Sequence, residues 1–219
     1  NFYQDSRQDT LCREKTLLGL VLHGSRHPRI WPWPQETADF LDLKGLVENL
    51  LSCLHLGSAE YVQHNEHPYL DPCAEIRLNQ QSLGTAGRLA PGLGRRYHAR
   101  HPVWIAELDL DLLQQLHREV EVAYTPWSRF PPVFRDMTLV KGPELSFQSV
   151  RQQIRAAAID YLDTYMLLDV YQPPESHNQN ITLRLVYRHP ERTLTDREVD
   201  AHHQALGDHL QRTLPVRFP

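Results

Sequence analysis

Phe134, Tyr171, Arg184, Arg188 and Arg217 are residue types that hold unpaired nucleic-acid strands. Aromatic rings stack on exposed bases, and guanidinium groups stack or grip phosphate. Each base stacked on such a platform is worth about 1–3 kcal/mol. Asp136 and Thr138 lie in the same short segment as Phe134 and complete the candidate set. The competing reading is a solvated surface, with the arginines paired to Asp136, Asp169 and Glu191.

The seven residues form one site only if they share one sheet face. The residues from 134 to 218 predict that they do. Phe134 to Val140 reads as a strand, and Ser146 caps a helix to about Ala158. Tyr165 to Tyr171 and the alternating Ile181 to Tyr187 read as two further strands. Thr195 and Glu198 form a capping box for a helix running to about Arg212, and Pro215 to Phe218 closes as an edge strand. The order βαββαβ is the ferredoxin-like plan, whose two helices cover one face and leave the other bare. Period two then sends Met137, Leu139, Leu168, Val170, Ile181, Leu183, Leu185 and Tyr187 toward the helices. Phe134, Asp136, Thr138, Asp169, Tyr171, Thr182, Arg184, Val186, Arg188 and Arg217 fall on the open face.

The first part of the chain predicts an α+β unit with a mixed or antiparallel sheet. Leu17 to Leu22 reads as a strand, and the proline-rich Ser25 to Thr37 as a loop. A helix covers Asp39 to Leu54, with Asp42 as N-cap and Gly57 as the stop. Glu60 to Asn65, a hairpin over Glu75 to Leu89, and Val103 to Leu108 supply strands. Pro91 to Tyr97 and Asp109 to His117 supply short helices. The aperiodic stretch from Arg118 to Pro132 separates the parts, which divide as residues 1–125 and 126–219.

Other chemistry is weaker. The 13 histidines include pairs at His64/His67 and His98/His101, but none converges with further ligands as a zinc site needs. Cys12, Cys53 and Cys73 match no zinc spacing and read as free thiols. Cys53 is expected in the core and Cys73 in a loop. Gly84-Thr-Ala-Gly87 and Gly92-Leu-Gly94 lack the strand, lysine and helix of a phosphate cradle. Glu107, Asp109 and Asp111 suit either acid–base work or the capping of a helix start. Trp31 and Trp33, between prolines, could anchor a partner or pack inward.

The 219 residues carry a net charge of −4, and from Val133 onward ten basic residues face eleven acidic ones. A general basic field is thereby excluded, and any nucleic-acid contact is a local patch. No apolar run approaches the roughly 20 residues that span a bilayer, so no membrane partner is expected. A reducing cytoplasm suits the free thiols. The chain opens on Asn1, as a fragment of a longer protein would.

Specific segments resemble the C-terminal part of the phenylalanyl-tRNA synthetase β chain. They are Leu17-Leu-Gly-Leu-Val-Leu-His-Gly24, Asp39-Phe-Leu-Asp-Leu-Lys-Gly45, His67-Pro68 with Pro72, and Glu107-Leu-Asp109 in the first part. In the second they are Phe130-Pro131, Val133, Arg135-Asp136, Asp169-Val-Tyr171 and Arg192-Thr-Leu-Thr195. The resemblance implies a partial, non-catalytic class II synthetase-like core followed by a ferredoxin-fold anticodon-binding domain. It implies phenylalanine tRNA and the catalytic α chain as partners, with no catalytic residue, metal or cofactor on this segment. The family's Gly-Lys-Lys-Ser is His177-Asn-Gln-Asn180 here, its Gly-Arg after the final Pro is Cys73-Ala74, and its Gly-Glu-Leu-His-Pro is Gly87-Arg-Leu-Ala-Pro91. Losing two lysines weakens the phosphate contacts of that loop and leaves open a diverged protein-interaction or structural module that has lost RNA.

Overall fold

The computed structural model describes residues 2–3, 13–64, 66–121, 123–124 and 128–219. The chain divides into two compact units, Asn1–Ala123 and Tyr124–Pro219.

In the first unit a two-residue ribbon pairs β1 (Phe2–Tyr3) with β2 (Arg13–Glu14). The main sheet has five antiparallel strands: β3 (Leu17–His23), β4 (Glu60–His64), β5 (Leu70–Leu78), β6 (Gln81–Leu89) and β7 (Val103–Asp109). Their spatial order is β3-β7-β6-β5-β4. Helix α1 (Phe40–Cys53) buries Leu43, Val47 and Leu51 against Ile76, Leu78, Leu83, Ala86, Ala106 and Leu108 of the sheet. Burying each such aliphatic side chain stabilises the unit by roughly 1.5–3 kcal/mol.

The ends of α1 differ from expectation. Asp39, not Asp42, is the N-cap: its carboxylate accepts from the Leu41 and Asp42 amides at 2.8 and 3.1 Å. Asp42 stands at the third helical position and accepts from the Asp39 amide at 2.8 Å, closing a capping box. At the other end the stop is His55, at φ 56°, and not Gly57. The His55 amide donates to the Ser52 carbonyl and the Leu56 amide to the Leu51 carbonyl, a Schellman closure in which histidine occupies the position usually held by glycine. Cys53, expected in the core, is exposed on the last helical turn.

β5 and β6 form the expected hairpin through Asn79 and Gln80, both at positive φ, as a two-residue turn requires. β5 starts earlier than expected. An irregularity in the pairing between Leu70 and Cys73 accommodates Pro72, which cannot donate to a ladder. Cys73 is therefore a buried strand residue and not a loop residue; its thiol donates to the His64 carbonyl at 3.2 Å. Short helices α2 (Pro91–Arg96) and α3 (Leu110–Arg118) flank β7.

The second unit runs β8 (Val133–Lys141), α4 (Phe147–Ala156), β9 (Leu162–Tyr171), β10 (Gln179–Tyr187), α5 (Asp196–Thr213) and β11 (Val216–Arg217). The strands order as β11-β8-β10-β9, all antiparallel. Ser146 caps α4, and the Thr195–Glu198 capping box starts α5, both as expected. Val150 and Ile154 of α4 and Val199, Leu206 and Leu210 of α5 share one core with Met137, Leu139, Ile181, Leu183, Leu185 and Tyr187. Both helices thus lie on one side of the sheet, the ferredoxin-like arrangement.

Candidate nucleic-acid interface

The ladder fixes which open-face residues are neighbours. One rung carries Phe134, Val186 and Thr164; the next carries Asp136, Arg184 and Met166. Then come Thr138, Thr182 and Asp169, and finally Arg217, Val140, Asn180 and Tyr171. Phe134 and Tyr171 are 51% and 52% exposed. They occupy diagonal corners, separated by six residues along β8 and two strand spacings. At about 3.4 Å per residue that is roughly 20 Å along the strands alone, so no single base can lie between the two rings.

Asp136 and Arg184 are directly opposite and form a fork-to-fork pair. Nε donates to Oδ1 and Nη2 to Oδ2, each at 2.8 Å. This hydrogen bonding holds the Asp136 carboxyl below its ordinary range and raises Arg184. Thr138 and Thr182 share a hydroxyl hydrogen bond of 3.0 Å. Arg217 is exposed, and no carboxylate pairs with it among the described residues. Arg188 lies just beyond β10 and is less available. Its amide donates to the Tyr161 carbonyl, and its guanidinium sits 3.3 Å from Asp163, not from the expected Asp169 or Glu191.

Two assignments from simple alternation change, and two other residues keep their face at an unexpected exposure. Leu168 is the unpaired residue of a bulge in β9, because Thr182 pairs with Asp169 and Leu183 with Leu167. The bulge resets the parity, so Met166 joins the open face, where strict alternation sends it inward. Val170 keeps the helix-side face opposite Ile181 but stays half-exposed, since β9 is an edge strand. Val186 faces the open side as expected but is only 4% exposed; it lies on the central strand, flanked in its rung by Phe134 and Thr164. A bulge leaves no local sequence signature here, so Met166 was not legible as a site residue.

Under the sheet, Arg135 points to the helix side and pairs with Asp196 and Asp200 of α5 at 2.8 and 2.9 Å. Beside it, His203 Nδ1 lies 3.4 Å from the Tyr187 hydroxyl. Burial, then the Arg135 charge, lowers the His203 pKa, while burial pushes Tyr187 up to about 12. A histidine whose folded pKa is depressed binds its proton more readily when unfolded, so stability falls as pH falls. The second unit should therefore lose stability as pH drops below about 6.5, the ordinary histidine value. Thermal unfolding between pH 7.5 and 5 checks this: His203→Gln should flatten the slope, and an unchanged slope would contradict it.

The remaining candidate groups serve the scaffold. Asp109 caps α3 by accepting from the Leu112 amide at 3.0 Å, Glu107 accepts from the Tyr69 hydroxyl at 2.5 Å, and Asp111 accepts from the Thr16 amide at 3.0 Å. His67 Nδ1 accepts from the Leu70 amide at 3.2 Å. Gly84 and Gly87 lie within β6, where backbone passes too close for a side chain: an added Cβ would strike the Glu107 carbonyl or the Pro72 carbonyl.

A ferredoxin-like unit with a bare, aromatic-bearing sheet face is a plan that RNA-binding modules use, among others. Consistent with this, a family model described as a ferredoxin-fold anticodon binding domain matches residues 128–218. A second, described as the phenylalanyl tRNA synthetase beta chain CLM domain, matches residues 1–110, half of the chain. The chain belongs to the phenylalanyl-tRNA synthetase β chain family. It is 36% identical over 217 residues to the phenylalanine–tRNA ligase β subunit of Nitratidesulfovibrio vulgaris, covering 99% of this chain and 27% of that one. Against the β subunit of Oleidesulfovibrio alaskensis it is 40% identical over 194 residues, covering 87% and 24%. Against that of Chlamydia caviae it is 31% identical over 208 residues, covering 92% and 26%. The chain thus spans about a quarter of the length of the curated relatives it matches. Among the described residues, no helix is long and apolar enough to cross a membrane.

Proposed function

We propose that this chain is a non-catalytic, tRNA-binding and bracing segment of a cytoplasmic phenylalanine–tRNA ligase. The ferredoxin-like unit holds the anticodon stem-loop of phenylalanine tRNA on its open face, and the first unit supports the catalytic α chain. The observation that carries this reading is the pair of half-exposed rings, Phe134 and Tyr171, on the helix-free face with Arg217, which pairs with no carboxylate among the described residues. Phe134 and Tyr171 stack different nucleotides and Arg217 meets phosphate; Thr138 and Asp169 share the rung next to that of Tyr171 and so border the bound strand. Arg188 contributes at the margin, held by Asp163. The segment uses no cofactor or metal of its own, and it should show no ATP–pyrophosphate exchange without the α chain.

The Asp136–Arg184 pair sets the electrostatics of the face. A guanidinium already forked onto a carboxylate is not free for phosphate. Arg184→Ala with Arg217→Ala should weaken tRNA binding in a gel-shift titration, chiefly through Arg217. The slope of log affinity against log salt should fall by about one phosphate contact rather than two. Asp136→Asn should release Arg184 and steepen the slope by about one contact. Unchanged affinity and slope in the double variant would discard the assigned face. The same neutralised pair favours a second reading, a protein-interaction module of this fold that has lost RNA. Wild-type protein that fails to prefer phenylalanine tRNA over another tRNA at low salt would select it.

A further inference from the structure

The bulge at Leu168 brings Met166 onto the open face, where it is 45% exposed. Among the described residues, the large apolar side chains exposed on that face are then Phe134, Tyr171 and Met166; Val186 is buried in its rung, and Val140 is half-buried. Met166 shares its rung with Arg184 and Asp136, one rung from Phe134 and two from Tyr171. With strands about 4.8 Å apart and a rise of about 3.4 Å per residue, it lies roughly 12 Å from Phe134 and roughly 14 Å from Tyr171 across the sheet. It therefore breaks the long diagonal between the two rings into two shorter steps.

A single exposed apolar side chain is ordinary. The surroundings of Met166 are what point to a ligand, and to which part of it. Its rung neighbour Arg184 is forked onto Asp136, so the middle of the face has no guanidinium free to grip phosphate. Asp136 and Asp169 set two carboxylates against that one guanidinium, a balance of −1 over the two central rungs. Phosphate is turned away from the centre, toward Arg217 in the last rung. A strand crossing here meets the centre with its base rather than its backbone. A thioether suits that contact: it is unbranched, polarisable and makes favourable contacts with aromatic rings.

We infer that Met166 is a third seat on the open face, holding the unpaired base of a nucleotide that lies between those stacked on Phe134 and Tyr171. The inference rests on the RNA-binding reading given under Proposed function. The chain has two methionines, and the other, Met137, is buried in the core of the same unit at 4% exposure. Limited oxidation by hydrogen peroxide therefore carries its own control. Peptide mass spectrometry of the free chain should show sulfoxide at Met166 and little at Met137. Saturating phenylalanine tRNA should slow oxidation of Met166 several-fold and leave Met137 as it was. In a gel-shift titration Met166→Ala should weaken tRNA binding about two- to tenfold, while Met166→Leu, which keeps the volume, stays within about twofold. Leu167→Ala, on the same strand but facing the helices opposite Leu183, should leave affinity unchanged. Wild-type chain that binds tRNA with Met166 unprotected, or with Met166→Ala at full affinity, overturns this seat alone. An equal loss in Leu167→Ala would trace the effect to the strand and overturns it too. Wild-type chain that binds no tRNA overturns both the seat and the reading beneath it.

Discussion

Removing both rings from the open face, by Phe134→Ala with Tyr171→Ala, should nearly abolish tRNA binding while leaving the fold intact. Each ring is half-exposed, so truncation opens no core cavity. A stacked base is worth about 1–3 kcal/mol, so the double variant should bind between ~30-fold and ~10⁴-fold more weakly. The register adds a sharper expectation. The rings stand at opposite corners of the sheet, on β8 and β9 with β10 between them. Changes more than about 10 Å apart that share no partner usually add. The two single variants should therefore sum to the double in a quantitative titration. Strong non-additivity would mean that both rings touch one nucleotide or that the sheet distorts on binding, and either would contradict the rung assignment.

Gly84→Ala should have the largest effect on the first unit. Gly84 lies opposite Leu108 in the ladder between β6 and β7, the centre of that sheet. An added methyl would run into the Glu107 carbonyl, carbon and oxygen both, and into the Leu108 Cα; all are backbone atoms that cannot swing aside. Overpacking of this kind typically costs about 1–3 kcal/mol, and more where nothing can yield. The first unit should melt on the order of 10 °C or more below wild type, while residues 124–219 keep their own transition. Calorimetry or hydrogen exchange resolves the two. A wild-type melting profile in Gly84→Ala would show that the strands can separate to admit a methyl, against the geometry described.

This glycine shows where local reading stops. Gly84-Thr-Ala-Gly87 is legible as a pattern that lacks phosphate-loop context, but its use depends on β7 and Pro72 passing close by, contacts 15 or more residues away in sequence. The ends of α1 teach the same lesson at shorter range. Asp39 and Asp42 are both acceptable caps by type; the reciprocal capping box decides between them, and Arg26 holds both. His55 takes a left-handed conformation that residue type alone assigns to Gly57.

The signals legible along the chain are periodic and local. Alternation placed Met137, Leu139, Ile181, Leu183, Leu185 and Tyr187 in the core, and side-chain types at Ser146, Thr195 and Glu198 placed two helix starts. Those signals suffice for βαββαβ and for a bare face carrying Phe134, Tyr171 and Arg217. The wiring of that face depends on contacts between distant segments. A bulge at Leu168 exchanged which β9 residues look outward, Asp136 closed on Arg184, Asp163 drew off Arg188, and Val186 sank between its neighbours. The reason is physical: strand periodicity is set by each residue's own backbone, whereas register, bulges and ion pairs depend on groups that meet only after distant segments pack.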